Sequence, residues 1–380
     1  MKKIFILTLL CLFCFSSCAS PSVKEEKASD SEKNNEPFSG VWVTYSELSV
    51  KGKSYTEESY REYISRLFDS FCNKNINNVF LHIRPFCDAL YFSEFFETSE
   101  YASGKRGTRA EFDILSICID EGRKRNLRIH AWINPYRVMS VYKENYLADG
   151  VLKTLYEENE NTVCRISDGL YLNPASEKAQ KLIVDGIREI LQNYDVDGIH
   201  FDDYFYPPNC GDFDKTDYEA YRKKGGRLSL SDFRCENVNN LLSLSYSTVK
   251  SFGKDLVFSV SPSGDIKKNY EELYADVSLW CKGGFCDMII PQLYYGFENE
   301  KKPFEEVLDE WLSLSDFCNV KLSVGLALYK CNKEDEFAGK GRNEWLKNDD
   351  VIKRQTELLE EKEVFGTVYF SSSFLENINF

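Results

Sequence analysis

Eight short apolar segments alternate with longer amphipathic segments along this chain of 380 residues, and the alternation predicts an α/β protein, a (β/α)8 TIM barrel. Most of the apolar segments are continuous or nearly so, as expected for parallel strands that are covered on both faces. Long insertions follow three of the segments, which predicts long βα loops at the C-terminal face of the strands. A doubly wound open sheet is the alternative architecture.

The individual elements are read from hydrophobic periodicity. Strands are predicted at residues 40–45, 78–84, 127–134, 196–202, 256–261, 288–293, 320–326 and 366–371. Helices are predicted at residues 58–72, 111–123, 177–193, 231–252, 270–281, 304–314 and 351–361. The insertions are residues 136–173, 204–230 and 329–350. So few residues follow the last strand that its helix is predicted to be very short or absent.

The N-terminus has the pattern of an export signal. Lys2 and Lys3 precede an apolar run at residues 4–15, which is too short for a typical membrane span. The following Phe15-Ser16-Ser17-Cys18 resembles a bacterial lipoprotein signal, in which the cysteine is lipidated and becomes the mature N-terminus. We therefore predict a signal peptide at 1–17, a flexible tether at 18–37 that carries lipidated Cys18, and a barrel at 38–380. A plain cleavable signal peptide is the alternative.

Composition narrows the classes of partner. The formal net charge is −14, which argues against a nucleic-acid partner and against a strongly polyanionic substrate. Contact with a membrane is predicted only through the N-terminal lipid, and the oligomeric state is left open. The chain has 13 Cys, but those beyond Cys18 contain no CxxC pair, so they resemble neither a zinc site nor a small disulfide scaffold. No cofactor is predicted.

Polar side chains inside the predicted strands indicate a pocket. The only three histidines, His82, His130 and His200, all lie within predicted strands. Alternate residues of a barrel strand face the interior. The sets that share a face are His82 with Arg84; His130 with Trp132 and Asn134; His200 with Asp202; Ser259 with Ser261; and Gln292 with Tyr294. Three buried histidines in unrelated places are the alternative interpretation.

Two kinds of chemistry fit these residues. The histidines and an aspartate offer zinc ligands, but Arg84 disfavours a cation there and no HxH or HExxH pattern occurs, so no metal is predicted. A glycosidase requires two carboxyl groups across the scissile bond. Asp202 and Asp203 supply carboxyls at the end of the fourth strand. The partner carboxylate stays open: Asp88 is the first candidate, followed by Glu47, Asp265 and Glu298.

The sequence resembles the glycosyl hydrolase-like 10 family, also called DUF187, a group of glycosidase-like envelope lipoproteins. The matching stretches are GVWVTY at 40–45, HIRPFCDALYFSEF at 82–95, HAWINPYRV at 130–138, LYLNPAS at 170–176, YDVDGIHFDDYFYP at 194–207, SVSPSG at 259–264, DMIIPQLYYG at 287–296 and GLALYK at 325–330. The resemblance implies a (β/α)8 barrel, glycoside hydrolase activity on a cell-wall or other polysaccharide, and an envelope location. By match to the motifs it also implies pocket residues Arg84, Asp88, His130, Asn134, Asp202, Asp203 and Gln292.

These observations lead to one hypothesis and one rival. Asp202 or Asp203 protonates the glycosidic oxygen, and the other carboxyl, or Asp88, stabilises the oxocarbenium-like state or activates water. The predicted substrate-binding residues are Arg84, His130, Trp132, Asn134, Arg137, Asn173, His200, Gln292 and Tyr294. The predicted substrate is a cell-envelope polysaccharide, with the glycan strands of peptidoglycan first. The rival is a non-catalytic glycan-binding envelope lipoprotein that uses the same pocket.

Overall fold

The computed structural model describes residues 37–380 except 142–149, 159, 167–168, 208, 317 and 378–380. The predicted signal peptide and the tether with Cys18 fall outside the described residues. Of the helices in the described part, none is long and apolar enough to cross a membrane.

The described chain contains strands and helices in alternation. The strands are β1 (Phe38–Val43), β2 (Asn78–Arg84), β3 (Arg128–Ile133), β4 (Arg137–Met139), β5 (Val163–Ile166), β6 (Gly169–Leu172), β7 (Gly198–Phe201), β8 (Val257–Val260), β9 (Met288–Ile289), β10 (Lys321–Ala327) and β11 (Gly366–Phe370). The helices are α1 (Glu57–Cys72), α2 (Glu100–Ser103), α3 (Ile114–Arg123), α4 (Gly150–Glu158), α5 (Glu177–Asn193), α6 (Lys215–Lys223), α7 (Leu230–Phe252), α8 (Ile266–Glu272), α9 (Val277–Gly283), α10 (Phe304–Ser315), α11 (Glu344–Lys347) and α12 (Val351–Glu361).

The eight predicted strands form a closed parallel barrel, so the predicted fold class is confirmed. Going round, the order is β1, β2, β3, β7, β8, β9, β10 and β11, and β11 pairs with β1 from Phe38↔Gly366 to Trp42↔Phe370. The chain after β11 forms a 3-10 helix at Ser372–Asn377. The barrel therefore closes by the pairing of β11 with β1.

Two parts of the chain differ from the sequence-based prediction. The insertion after β3 contains a small antiparallel sheet in the order β4-β6-β5, which was not predicted. The single helix predicted at 270–281 is wrong, because the structure has α8 and α9 there. Tyr274 lies between them with φ 53°, which no helix accommodates, and the Asp276 side chain caps the new helix by accepting from Leu279 N at 3.0 Å.

The outer helices follow the predicted amphipathic pattern. At the start of α1, Thr56 and Ser59 form a reciprocal capping box, which satisfies amide groups that the first turn leaves free. The buried face of α1 then repeats every three or four residues, at Tyr60, Ile64, Phe68 and Phe71. This face covers the outside of the barrel and leaves the C-terminal ends of the strands open.

The barrel interior contains an apolar cluster as well as buried polar side chains, among them His130 and His200. Its lower part holds a cluster of buried residues separate from the larger core between strands and helices: Trp42, Phe80, Trp132, Met288, Ile290 and Val368. Gly198 permits close packing here, since a Cβ atom at this position would lie 2.3 Å from the Val257 carbonyl oxygen. The apolar cluster thus forms the floor on which a polar pocket is built.

Candidate active site

A pocket of about 340 Å³ opens at the C-terminal ends of the barrel strands. Its lining residues are Trp42, Thr44, Tyr45, His82, Trp132, Arg137, Asp202, Asp203, Tyr204, Ser261, Gln292, Tyr294, Tyr329 and Phe370. Each of the eight barrel strands contributes at least one of them, from its last residues or from the loop that follows. This is the position where (β/α)8 barrels carry their chemistry.

Asp202 lies at the bottom of the pocket and is 2% exposed. Its Oδ2 accepts hydrogen bonds from Trp132 Nε1 at 3.0 Å and from Asn134 Nδ2 at 3.2 Å, and its Oδ1 accepts one from Tyr204 N at 3.3 Å. Burial, and secondly the charge of Asp203, raise the pKa of Asp202 to about 7, although the bonds from Trp132 and Tyr204 act in the opposite direction. A carboxyl with this pKa exchanges a proton near neutral pH.

Asp203 lies above Asp202 and is partly exposed in the pocket. Burial raises the pKa of Asp203, while hydrogen bonds from its own backbone and from the Gln292 side chain partly offset the rise. Gln292 is itself held by the bond that its Nε2 donates to Ser261 O at 3.0 Å. Because the two acids interact, they titrate as a pair, and the pair retains a proton at a higher pH than two isolated carboxyls would.

Arg137 supplies the positive charge of the pocket. Its guanidinium lies 4.1 Å from the ring centroid of Tyr204 and 4.7 Å from that of Phe86, so it is held between two aromatic faces. Its backbone N–H donates to Asn134 Oδ1 at 2.9 Å. The charge of Arg137 lowers the pKa of both aspartates and thereby limits the effect of burial.

One wall of the pocket is a stack of rings. His82 lies parallel to Trp132 with ring centroids 3.7 Å apart, and Tyr45 meets the other side of His82 edge-on at 5.5 Å. His82 is 3% exposed, and its Nε2 has no hydrogen-bond partner among the described residues. Burial lowers the pKa of His82 well below its usual value, so the ring is neutral.

His200 supports the floor of the pocket. The Trp42 indole N–H donates to His200 Nε2 at 3.1 Å. Because an indole only donates, the proton of the neutral imidazole lies on Nδ1, which is 2.9 Å from Ser259 Oγ and donates to it. His200 is fully buried and does not line the pocket. The structure therefore places it under the site, where it holds Trp42, rather than in the predicted contact with substrate.

The prediction that Arg84 faces the pocket is wrong. A β-bulge between His82 and Arg84 shifts the pairing with β3, so that Arg84 pairs with Ile133 instead of continuing the inward face of His82. The Arg84 guanidinium lies 4.4 Å from the Phe96 ring centroid and packs near Gly186 of α5, outside the barrel. A single extra residue in the strand thus reverses the predicted orientation.

His130 faces the barrel interior as predicted, but it lies too deep to reach the pocket. It is fully buried, its Nε2 lies 3.0 Å from Asn78 Oδ1, and its ring stacks on Phe80 at 4.6 Å. Burial lowers its pKa to about 3. Its predicted contact with substrate is corrected to a role in packing, because the apolar floor separates it from the opening.

Two further predicted residues lie away from the pocket. Asp88 is 2% exposed and its Oδ1 accepts from Phe86 N at 3.2 Å within the loop after β2. Asn173 ends the insertion after β3 and donates to Asn161 O at 3.0 Å and to Asp217 Oδ2 at 2.9 Å. Both side chains organise their own loops, so the predicted catalytic and substrate contacts are not what the structure shows.

The other candidate partner carboxylates are also elsewhere. Glu47 binds the residues that follow β11, Asp265 caps α8 by accepting from Lys268 N, and Glu298 is exposed on the surface. In the described part of the chain, Asp202 and Asp203 are the only carboxylates that line the pocket. Within the same residues, no three His, Cys, Asp or Glu side chains are grouped as ligands of a metal ion would be.

Several pocket residues escaped the sequence-based prediction. Strand alternation brings together Asp202, Trp132 and Asn134 as expected, and Asp203, Arg137, Gln292 and Tyr294 also lie at the site. The pocket residues that the sequence did not assign are Trp42, Thr44, Tyr45, Tyr204, Tyr329 and Phe370, whereas strand alternation groups His82 and Ser261 with the inward-facing residues. The alternation of β1 would have identified Trp42 and Thr44 on one inward face. Tyr204 and Tyr329 begin two of the long insertions, and position within an insertion gives no direction for a side chain.

A closed (β/α)8 barrel with carboxyls and aromatic rings at its strand ends is an arrangement that glycoside hydrolases use. A family model described as Glycosyl hydrolase-like 10 matches residues 37–340, and the chain belongs to that family. The protein is therefore a glycoside hydrolase.

Two relatives agree with this assignment, and a solved structure shares the fold. The chain is 26% identical over 392 residues to glycosyl hydrolase DigH of Escherichia coli strain K12, covering 94% of this chain and 88% of DigH. It is 31% identical over 353 residues to glycosyl hydrolase YngK of Bacillus subtilis strain 168, covering 87% of this chain and 65% of YngK. The glycoside hydrolase domain of PgaB (BpsB) from Bordetella bronchiseptica has the same fold, with a TM-score of 0.56, 10% identity and coverage of 90% and 96%.

Proposed function

We propose that the protein hydrolyses the glycan strands of peptidoglycan, with the pair Asp202 and Asp203 supplying acid/base catalysis. The observation that carries this proposal is the coupled pair itself: two neighbouring carboxyls in one pocket, both with raised pKa, and Asp202 with a pKa of about 7. The pair therefore retains one proton near neutral pH, where it can be transferred to the glycosidic oxygen. The family and the exported character predicted for the chain direct the proposal to a polysaccharide of the cell envelope.

The pocket is suited to a neutral sugar chain. Tyr204 is 43% exposed at the rim and Tyr329 lines the wall, so flat apolar rings are available for stacking on sugar faces. Hydrogen-bonding groups of Arg137 and Gln292 lie between these rings. A non-catalytic binding protein has less reason to bury two repelling carboxyls, since a buried charge without a full set of partners costs several kcal/mol. The hydrolase is therefore preferred to the rival.

The test measures release of soluble fragments from purified peptidoglycan, with and without its stem peptides. The full-length protein, purified in detergent, is compared with Asp202→Asn and Asp203→Asn. Asp217→Asn is the matched control, because Asp217 is also partly buried with a raised pKa but lies outside the pocket. We expect release by the wild type and the control and loss in both pocket variants. Binding of the strands without release by the wild type would favour the binding protein.

The attachment of the protein to a membrane is a separate proposal. We propose that Cys18 is lipidated and that residues 18–37 tether the barrel to a membrane. The supporting pattern is the basic, apolar and small-residue order that ends at Cys18. The protein and a Cys18→Ser variant are expressed in bacteria with a labelled fatty acid. Label in the wild type alone is expected, and an unlabelled wild type that is cleaved at another residue would indicate a plain signal peptide.

A further inference from the structure

The arrangement of the two pocket carboxyls restricts how the glycosidic bond is attacked. Glycosidases that use two carboxyls place them on opposite sides of the bond, one as acid and the other as nucleophile or base. Asp202 and Asp203 are consecutive residues at the end of one strand, and among the described residues no other carboxylate lines the pocket. A carboxylate on the opposite wall is therefore missing from this part of the chain.

The pocket tyrosines are poor replacements for that nucleophile. Burial raises the pKa of Tyr204, raises that of Tyr329 to about 12, and raises that of Tyr294 well above its usual value. A phenol with a raised pKa is rarely ionised at neutral pH, and attack by its oxygen requires ionisation. The attacking group consequently has to be water or a group of the substrate itself.

The surroundings of Asp202 fit one particular substrate group. Asp202, fixed by Trp132, Asn134 and the Tyr204 amide, presents an oriented hydrogen-bond acceptor at the bottom of the pocket. Next to it, the ring of Trp132 stacks on the parallel ring of His82. The buried Nε2 of His82 lacks a hydrogen-bond partner among the described residues. An acetamido group has an N–H donor, a carbonyl acceptor and an apolar methyl group, and these match the carboxylate, the imidazole and the aromatic wall.

We propose that the site cleaves glycosides of 2-acetamido-2-deoxy sugars with the sugar's own acetamido oxygen as the nucleophile, Asp202 orienting the acetamido N–H and Asp203 acting as acid and base. This inference rests on the proposed glycan hydrolysis and names its substrate class and mechanism. Asp203 takes the acid role because it is the more exposed of the two and lies nearer the mouth, where the leaving sugar departs. His82 orients the acetamido carbonyl.

The steps balance without a further reagent. The proton of Asp203 moves to the glycosidic oxygen, the bond from C1 to that oxygen breaks, and the acetamido carbonyl oxygen bonds to C1 to give an oxazoline, whose N–H proton is held by Asp202. Water then attacks C1, the bond from C1 to the acetamido oxygen breaks, and Asp202 returns the proton to nitrogen. Asp203 takes a proton from the attacking water. The net reaction is hydrolysis with retention at C1.

The decisive substrates differ only in the nucleophilicity of the acyl group. Peptidoglycan strands are chemically de-N-acetylated and then re-acylated with acetyl, fluoroacetyl, difluoroacetyl or trifluoroacetyl groups. If the acyl oxygen attacks C1, kcat should fall with each fluorine, by about 100-fold or more across the series, because an intramolecular nucleophile supplies much of the rate. Equal kcat for all four acyl groups would overturn the inference while leaving the hydrolase intact.

The configuration of the product gives an independent reading. The new reducing end is observed by proton NMR early in the reaction, before it mutarotates. Retention is expected, and inversion would overturn the inference because it requires direct attack by water. If none of the strands is cleaved, including the re-acetylated ones, then the proposed function itself has failed. The two failures are thus distinguishable.

Variants assign the two carboxyls. Asp203→Asn should lose about 10²- to 10⁴-fold in kcat on natural strands, and much less on an aryl glycoside whose leaving group needs no proton. Asp202→Asn should lose about 10²-fold on both substrates, because the orienting acceptor is needed whatever the leaving group. Asp217→Asn should match the wild type on both. Recovery of Asp202→Asn on the aryl glycoside would exchange the roles and overturn the assignment of Asp202.

Discussion

Two acidic residues at the ends of barrel strands, Glu47 after β1 and Asp202 after β7, have different environments. Glu47 is partly exposed, and the serines after β11 saturate its Oε1: Ser372 Oγ donates at 2.6 Å, and the Ser373 amide and hydroxyl donate at 2.6 and 2.5 Å. Its Oε2 accepts from Thr44 N at 2.6 Å. Asp202 is more deeply buried and accepts three longer bonds beside a second acid.

The difference shows that position at a strand end does not define a catalytic carboxyl. Glu47 joins the end of the first strand to the residues that follow the last strand, so its hydrogen bonds contribute to stability. Burial disfavours the ionised forms of Asp202 and Asp203, and their hydrogen bonds do not fully offset this effect. The pKa of Asp202 therefore rises to about 7. A pKa raised in this way lets the pair exchange a proton near neutral pH, as a catalytic acid or base requires.

The largest expected difference between substitutions at the ends of β7 and β1 is in catalysis. Asp203→Asn should lower kcat on peptidoglycan strands by about 10²- to 10⁴-fold, since the amide cannot transfer the proton. Glu47→Gln should keep kcat within about twofold of the wild type, because its carboxylate holds the residues after β11 and touches the pocket lining only at the backbone N–H of Thr44. Turnover is measured by fragment release at saturating strand concentration. Equal losses in the two variants would contradict this division between catalysis and stability.

The second prediction concerns Arg84, which the β-bulge directs outside the barrel. Arg84→Ala should reduce the free energy of unfolding by about 2–4 kcal/mol, because it leaves a cavity against Phe96 and α5. The KM for the strands should stay unchanged. Urea denaturation and steady-state kinetics on the same preparation give both values. A raised KM with unchanged stability would instead return Arg84 to the substrate pocket.

The sequence predicts the barrel well because that information is local. Each strand from β1 to β11 in the barrel is a distinct apolar run, and alternation within β3 and β7 correctly brings Trp132 and Asn134 to Asp202. The family motifs agree with this arrangement. The coupled pair at residues 202 and 203 is therefore recognisable from the amino-acid sequence alone.

The sequence-based prediction of the site residues fails where the direction of a side chain depends on contacts with residues that are distant in the sequence. The bulge that turns Arg84 outward is set by pairing with β3, which leaves no mark in the apolar pattern. His130 and His200 face inward as predicted, but their depth below the pocket depends on the stagger of neighbouring strands. Asp88 and Asn173 follow the motifs yet bind their own loops, since residues within a motif can hold loop geometry as well as contact substrate.

A third prediction, of a smaller effect, concerns the stability that Glu47 provides where the barrel closes. Glu47→Gln replaces one acceptor oxygen by an amide that faces hydrogen-bond donors. We expect the free energy of unfolding to fall by about 1–3 kcal/mol, the range for hydrogen bonds to a charged group. The triple change of residues 371–373 to alanine removes the three hydroxyl donors but keeps the Ser373 backbone amide, and a double-mutant cycle with Glu47→Gln isolates the contribution of the hydroxyls. Strictly additive effects would show that Glu47 and the serines act independently.

The smallest effect, and the one most specific to Asp202, is on stability. The change in the free energy of unfolding caused by Asp202→Asn should depend on pH. The pKa of Asp202 is about 7 in the folded protein against an ordinary 3.8, so its contribution to stability is complete below about pH 4 and is lost as pH rises through 7. The rise from 3.8 to about 7 corresponds to about 4 kcal/mol, and an asparagine loses part of this gain because its amide nitrogen cannot accept the hydrogen bond from Tyr204 N.

Asp202→Asn imitates the protonated carboxyl and should therefore raise the free energy of unfolding by about 1–2 kcal/mol at pH 8, whereas at pH 4 it should have no effect or lower it slightly. Urea denaturation at the two pH values measures this difference. Asp120→Asn, an exposed aspartate paired with Arg61, is the control and should stay within about 0.5 kcal/mol of the wild type at both. A gain at pH 8 that persists unchanged at pH 4 would mean that packing, and not suppressed ionisation, distinguishes Asp202 from Glu47.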